Sequence, residues 1–118
     1  MATIHIEDLR LQTIVGINDW ERTTRQDVVI NVRMECNVTP AILSDQIEDT
    51  CDYKTLTKAI ITIVEESSYF LVEKLAAVIL DRVHEDERIT EAWVRVDKPR
   101  ALRSADSVAV ELRSADRP

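Results

Sequence analysis

The segment DVVINVRMECNV, residues 27–38, has an apolar side chain at every second position, and Val29 is the one apolar residue among the polar positions between them. A period of two residues is typical of a β-strand that buries one face and exposes the other. The chain is therefore expected to contain a sheet with one covered face, and this long strand should lie in it. The apolar positions are Val28, Ile30, Val32, Met34, Cys36 and Val38.

Three other segments also alternate and are predicted to be strands. Residues 4–16 are expected to pair antiparallel with the long strand, and their parity shifts partway, which predicts an irregularity near Glu7 or Asp8. Residues 89–98 and 107–113 form two more predicted strands. In these two segments the apolar residues share one face, so all four strands are compatible with a single sheet.

Two segments between the second and third strands have a helical period instead. Residues 53–67 and 71–83 place apolar side chains three and four positions apart, and a short polar link at 66–69 separates them. Residues 39–52, which include Pro40 and several acids, are predicted to be a connection without regular structure. The predicted apolar faces are Leu56, Ile60, Ile63 and Val64 in the first helix and Leu71, Leu75, Val78, Ile79 and Val83 in the second.

The order strand, strand, helix, helix, strand, strand predicts an α+β fold with an antiparallel four-stranded sheet and two helices on one face. The chain has one glycine, Gly16, and no low-complexity tract, so residues 1–118 are expected to form a single domain. The outer strands of such a sheet are unpaired, and long exposed edges are a liability in a monomer. Edge pairing between copies would remove this liability and could place an active site between subunits.

Charge and composition argue against several classes of function. The net charge of −7 would repel a nucleic acid at long range. No apolar run approaches the roughly 20 residues that span a bilayer, and the first residues do not resemble a signal peptide. We therefore expect a cytoplasmic protein without a membrane or nucleic acid partner. The two cysteines and two histidines lack metal-binding spacing, so reduced thiols and no metal cofactor are expected.

The stretch VRVDKPRALRSAD gives one lysine an unusually defined position. Lys98 ends an alternating strand, and Pro99 fixes the next backbone angle and removes a donor from the ladder. A lysine in a partly dry site can act as a base, because desolvation favours its neutral form. Arg100 and Arg103 follow, and they either bind an anion or simply offset nearby acids.

Other candidate residues carry weaker signals when each is taken alone. Glu73 lies off the apolar stripe of its helix; it is either a solvated carboxylate or, in a cleft, an acceptor of two N–H bonds from a flat heterocycle such as guanine or a pterin. Tyr53 follows Asp52, a candidate N-cap, and is either a packing residue or a proton donor. Glu21 and Gln26 lie in the loop after the first strand, where charged residues are usually just solvated.

Four motifs, taken in order, resemble those of the dihydroneopterin aldolase family. They are G-I-N-D-W-E with Gln26 five residues after Glu21, D-Y-K at 52–54, L-V-E-K-L at 71–75 and V-R-V-D-K-P at 94–99. Together they cover nearly the whole chain with the order and spacing of the family. The resemblance implies a tunnelling fold, in which copies of the unit assemble side by side into a closed oligomeric barrel, usually an octamer of two stacked tetrameric rings.

The resemblance also implies roles for individual residues. Glu73 would anchor the amino and ring N–H groups of a pterin, and Val72 beside it would also bind the substrate. Tyr53 would reach into the same pocket from a neighbouring subunit. Gln26 would support the loop that carries Glu21. The family uses no cofactor, so none is expected here.

The implied reaction is a retro-aldol cleavage of 7,8-dihydroneopterin. Lys98, through a water, would remove the proton of the 2′-hydroxyl; the C1′–C2′ bond then breaks, and the ring C=N bond accepts the electron pair. Glu21 would orient the hydroxyls or the water, and Tyr53 would donate or relay a proton to the intermediate. The products are glycolaldehyde and 6-hydroxymethyl-7,8-dihydropterin, a folate precursor. An aldolase is therefore the first prediction.

Two alternatives stay open. If the aldehyde adds back through its other face, the same residues make a 2′-epimerase, and the segments RQDVVINV, TLTKAI and KPRALRSADSV resemble the related dihydroneopterin triphosphate 2′-epimerases. Arg100 and Arg103 could then contact the triphosphate. The other alternative is a tunnelling-fold protein that only binds a pterin or a purine. The complete set of candidate residues argues against such a binder: Glu21, Tyr53, Glu73 and Lys98.

Overall fold

The computed structural model describes all 118 residues and contains one four-stranded antiparallel sheet. The strands are β1 (Ala2–Thr13), β2 (Gln26–Cys36), β3 (Ile89–Lys98) and β4 (Val108–Arg113). Their order in the sheet is β1-β2-β3-β4, so β1 and β4 form its edges. The predicted sheet is confirmed, with strand ends that differ from the prediction by at most three residues.

Two long helices, α2 (Tyr53–Glu66) and α3 (Val72–Val83), pack on the same face of the sheet, as predicted. A shorter helix, α1 (Thr39–Ser44), precedes them. The predicted connection over residues 39–52 was wrong here, because Pro40 in the first turn of α1 suits helix initiation. No side chain of α1 is buried, so its sequence carries no apolar period. None of the helices combines the length and the apolar composition needed to cross a membrane.

Strand β1 contains the predicted irregularity. Its pairing register with β2 shifts between Ile6 and Leu9, and Asp8 has a left-handed backbone with a φ of 53°. The backbone N–H of Asp8 donates to Oδ1 of Asn31 over 2.9 Å. The extra residue is a β-bulge, and it keeps the apolar side chains on both sides of it directed towards the helices. These side chains are Ile4, Ile6, Leu9 and Leu11, all packed against the core.

The core lies between the sheet and the two long helices. The predicted apolar face of α2 is buried except for Ile63, which is partly exposed. On α3 two predicted core positions were wrong: Leu71 is half-exposed and Val78 is only partly buried, whereas Ala76 and Leu80 are fully buried. Leu71 precedes the first helical residue and has an extended backbone, so it does not follow the helical period.

The second face of the sheet is covered by no helix and carries mainly polar side chains. In one row across this face, Arg10 on β1 lies beside Val29 on β2, which lies beside Asp97 on β3. The chain is elongated, with extents of 52 × 26 × 23 Å. Strands β1 and β4 each leave one edge unpaired within the chain, which is the feature that predicts assembly with other copies.

Candidate active site

Lys98 is the last residue of β3, and it lies on the face of the sheet that the helices cover. It has the parity of Val94 and Val96, which belong to the core, and it pairs with Val108 on β4. The residue is only 8% exposed. Pro99 follows at once and ends the strand. An apolar row therefore ends in a charged group that is nearly buried and needs a partner.

Glu21 is that partner, and a single turn of 3-10 helix (Asp19–Arg22) positions it. Its Oε1 accepts hydrogen bonds from the backbone nitrogen of Asn18 over 3.2 Å and from the Asn18 side chain over 2.8 Å. Its Oε2 accepts from the amide nitrogen of Gln26 over 3.0 Å and from the ammonium of Lys98. Each carboxylate oxygen thus accepts two hydrogen bonds, and Glu21 is only 4% exposed.

The environment of Glu21 fixes its ionisation state. Burial alone would raise the pKa of Glu21, because it removes water from the charged carboxylate. The hydrogen bonds from Lys98, Gln26 and Asn18, together with the charge of Lys98, outweigh burial and lower the pKa of Glu21 to about 2. Glu21 and Lys98 therefore form a buried ion pair at neutral pH. The pair holds a proton donor and a proton acceptor at fixed positions in a nearly dry site.

Gly16, the only glycine of the chain, makes room for this carboxylate. Its φ is +142°, and a Cβ atom on Gly16 would lie 2.2 Å from both Cδ and Oε2 of Glu21. Only a residue without a side chain fits there. The role of Gly16 was not predicted from the sequence, although its position as the only glycine, five residues before Glu21, was an available signal.

Arg22 attaches the loop of Glu21 to the link between α2 and α3. Its guanidinium donates to the carbonyl oxygens of Gly16 over 2.9 Å and Tyr69 over 3.0 Å, and also to that of Ser68. It also lies 3.9 Å from the centre of the Phe70 ring. This role of Arg22 was not predicted from the sequence. Nothing in the local sequence distinguishes Arg22 from Arg25 in the same loop.

Glu73 and Val72 lie at the same end of the fold as Glu21. They form the first turn of α3, shortly after Tyr69, and the carbonyl of Tyr69 accepts a hydrogen bond from the backbone nitrogen of Gly16 over 3.3 Å. Val72 packs partly against the core, whereas Glu73 is exposed. The carboxylate of Glu73 is thus accessible to a ligand that approaches this end of the fold.

Tyr53 lies at the opposite end of α2. It is the first residue of this 14-residue helix, and Asp52 caps the helix by accepting from the backbone nitrogens of Lys54 and Thr55, as expected for an N-cap. A helix of that length spans about 20 Å. Tyr53 is 58% exposed. Within one chain the structure therefore brings Glu21, Gln26 and Lys98 together and leaves Tyr53 remote from them.

The two predicted phosphate contacts lie in the loop after Pro99, and both are exposed. Arg100 lines a surface depression together with Gln26 and Trp20. Arg103 does not line that depression. The structure therefore places Arg100 beside Gln26, a hydrogen-bond partner of Glu21.

Comparisons with known proteins agree on one family. Residues 4–113 match the family described as FolB, dihydroneopterin aldolase. The chain is 44% identical to the dihydroneopterin triphosphate 2′-epimerase of Pseudomonas aeruginosa over 112 residues, which cover 95% of this chain and 91% of that protein. It is 30% identical to the dihydroneopterin aldolase of Escherichia coli strain K12 over 112 residues, which cover 93% of this chain and 90% of that protein.

The fold agrees with these sequence similarities. The crystal structure of E. coli dihydroneopterin aldolase in complex with neopterin matches this structure with a TM-score of 0.90 at 26% identity. The match covers 96% of this chain and 98% of that one. At the level of a single chain, the predicted tunnelling fold is thus confirmed.

Proposed function

The chain belongs to the dihydroneopterin aldolase (FolB) family, and we propose that it catalyses carbon–carbon bond cleavage in the side chain of a 7,8-dihydroneopterin. The observation that carries this proposal is the buried pair of Glu21 and Lys98, with Gln26 as a third member. Residues 77 positions apart in the sequence meet there. A protein that only binds a pterin needs contacts to the ring and has no use for a buried lysine beside a carboxylate.

Lys98 rests as an ammonium paired with Glu21. In the proposed reaction it first releases one proton to solvent and then, as the neutral amine, removes through a water the proton of the 2′-hydroxyl of the substrate. The electron pair left on oxygen forms the aldehyde C=O, the C1′–C2′ bond breaks, and its electrons move into the ring C=N bond to give an enamine. Glu21, which accepts four hydrogen bonds, holds Lys98 and orients the hydroxyl or the water. Because the ring accepts the electrons, the step needs no Schiff base. Glu73 anchors the ring, and Val72 lies beside it.

The enamine has two fates. Protonation at C1′ with loss of the aldehyde is the aldolase reaction, the first prediction from the sequence motifs. Addition of the aldehyde through its other face inverts C2′ and is the 2′-epimerase reaction. We favour 2′-epimerisation of the triphosphate, because the chain is 44% identical to a 2′-epimerase and 30% identical to an aldolase. Cleavage is the second candidate, and it uses the same residues.

A second copy of the chain completes the proposed site. Glu73 lies at the end of the fold that holds Glu21, whereas Tyr53 begins α2 at the other end. Each end exposes large apolar side chains, such as Trp20 at the first and Ile47 at the second. In this proposal β1 of one copy pairs with β4 of the next, which brings Tyr53 of one copy to the Glu21 end of its neighbour and, repeated around an axis, closes a ring. Two stacked rings of four copies would give the octamer that the family resemblance implies.

Product analysis of the purified protein is the first test. 7,8-Dihydroneopterin and its triphosphate are incubated separately, and the products are resolved by chromatography. We expect mainly the 2′-epimer, formed faster from the triphosphate; glycolaldehyde and hydroxymethyldihydropterin from the free compound would identify an aldolase instead. Lys98→Ala should lose turnover and retain pterin binding, and unchanged turnover would refute the role of the lysine. If the wild type binds a pterin but turns over neither compound, the protein is a pterin-binding protein and not an enzyme.

Co-expression of two inactive variants tests whether the site is shared. Lys98→Ala and Tyr53→Phe should each have little activity alone. In randomly mixed rings, about a quarter of the sites combine an intact Lys98 with an intact Tyr53 from the neighbouring copy. Activity well above that of either variant would support the shared site. If both residues acted within one chain, mixing would restore nothing.

A further inference from the structure

An open groove on the second face of the sheet, which no helix covers, lies next to the proposed site. It has a volume of about 510 Å³ and forms where β1, β2 and the segment after β3 come together. This volume lies within the range of roughly 300–1,000 Å³ that is typical of small-molecule sites. We call it the arginine groove, because its lining includes Arg10, Arg25 and Arg100, together with Gln12, Asp27 and Pro99.

The arginine groove adjoins a smaller depression of about 340 Å³, whose lining includes Gln26, a hydrogen-bond partner of Glu21. Arg25 and Arg100 line both, and Gln26 lines the smaller one. The amide nitrogen of Gln26 is 3.0 Å from Oε2 of Glu21. Only one residue separates Lys98 from Arg100, so their Cα atoms are at most about 7 Å apart. Lys98 lies on the helix-covered face of the sheet, so a substituent of a ligand bound there reaches the groove by passing around the end of β3, beside Gln26 and Arg100.

The charges around the groove favour an anion. Three arginines face two carboxylates there, so the groove is positive in a chain whose net charge is −7. Arg25 donates to the carbonyl oxygens of Gln12 over 2.7 Å and Glu65 over 3.1 Å, which fixes its guanidinium and leaves other N–H donors available. Arg10 and Arg100 form no ion pair within the chain. Their guanidinium groups are free to bind a ligand.

We propose that the arginine groove binds the phosphate tail of the triphosphate substrate that the proposed function favours. This inference rests on the proposed function, because the tail reaches the groove only when the reacting carbon lies at Lys98. Arginine forms bidentate, charge-assisted hydrogen bonds with phosphate oxygens, and three arginines around one groove suit a chain of phosphates. Arg103, a predicted phosphate contact, lines neither depression and is not included.

The variants Arg10→Gln and Arg100→Gln test the groove, with Arg113→Gln as a matched control. Arg113 lies on the same face of the sheet and lines neither depression, and its replacement removes the same charge. Each groove variant should raise KM for the triphosphate about tenfold or more, the loss expected for one charge-assisted contact. KM for free 7,8-dihydroneopterin and kcat for both substrates should stay near the wild-type values.

Binding of inorganic tripolyphosphate, measured by isothermal titration, gives a second result that does not depend on turnover. It should bind the wild type and the Arg113→Gln control alike and bind both groove variants more weakly. An unchanged KM in the groove variants, or tripolyphosphate binding that they do not weaken, would overturn the groove assignment and leave the proposed reaction intact. A wild type that turns over neither pterin would refute the proposed reaction. In that case tripolyphosphate binding to the wild type and the groove variants would still test whether the groove binds phosphate.

Discussion

Replacement of Gly16 by alanine should disrupt the ion pair of Glu21 and Lys98 without changing either residue. A Cβ atom at this position would lie 2.2 Å from Cδ and Oε2 of Glu21. Non-bonded carbon atoms in contact are about 3.5–4.0 Å apart, so the carboxylate would have to move by more than about 1 Å. Such a movement breaks the hydrogen bonds that Glu21 accepts from Gln26 and Lys98.

The cost of Gly16→Ala has two parts. The backbone at a φ of +142° suits glycine, and alanine there costs about 1–3 kcal/mol. Breaking a buried ion pair costs about 3–5 kcal/mol, because the remaining charge stays buried. Relaxation of the loop recovers part of this, so we expect the free energy of unfolding to fall by about 3–6 kcal/mol. A displacement of about 1 Å at the reacting groups should also lower turnover about 100-fold.

A double-mutant cycle separates the two parts. Gly16→Ala is introduced into the wild type and into Glu21→Ala, and urea unfolding is measured for all four proteins. Without the Glu21 carboxylate the overlap disappears, so Gly16→Ala should then cost only the backbone part of about 1–3 kcal/mol. An equal cost in both backgrounds would refute the overlap. Wild-type turnover by Gly16→Ala would refute its link to the ion pair.

Three further changes test separate features of the fold. The pKa of Glu21 is lowered from 4.5 to about 2, so its contribution to stability is present above pH 4.5 and is lost as the pH falls through about 2. Urea unfolding should show the wild type losing about 3 kcal/mol more than Glu21→Gln over that range, and equal losses would contradict the lowered pKa. Arg22→Met removes hydrogen bonds to three carbonyl groups and should cost about 2 kcal/mol or more. The Gly16 amide should then exchange faster with solvent deuterium, and an unchanged rate would show that Arg22 does not hold this loop. Asp52→Ala removes the N-cap of α2 and should cost about 1 kcal/mol in thermal unfolding. Asp52→Asn keeps an acceptor and should cost less, so equal losses would argue against capping as the cause.

The sheet and the two long helices could be predicted because each has a simple apolar period. Even the bulge at Asp8 has a signal, since apolar side chains change parity on either side of it. Helix α1 had none, because a six-residue helix that buries nothing leaves no pattern in the sequence. The position of Leu71 was also beyond prediction from periodicity, because it depends on where α3 begins.

The candidate site could be predicted as a set of residues but not as an arrangement. The motifs identify Glu21, Gln26 and Lys98 as candidates, yet their contacts depend on how a loop folds back onto the end of β3, 77 residues later in the chain. Gly16 and Arg22 act through close approach and through carbonyl contacts. Such roles are set by tertiary structure, and a single sequence gives little warning of them.

The buried ion pair is hard to explain by stability alone. Only three polar or charged residues of the chain are buried, namely Thr13, Glu21 and Lys98, and two of them form the pair. Desolvation offsets most of the attraction within such a pair, and apolar residues of similar size are often as stable or more stable in its place. We therefore expect the double variant Glu21→Leu with Lys98→Met to unfold at a urea concentration equal to or above that of the wild type, and to have no turnover. A loss of several kcal/mol would show that the pair serves the fold, whereas retained stability without activity would mean that the pair is there for its chemistry.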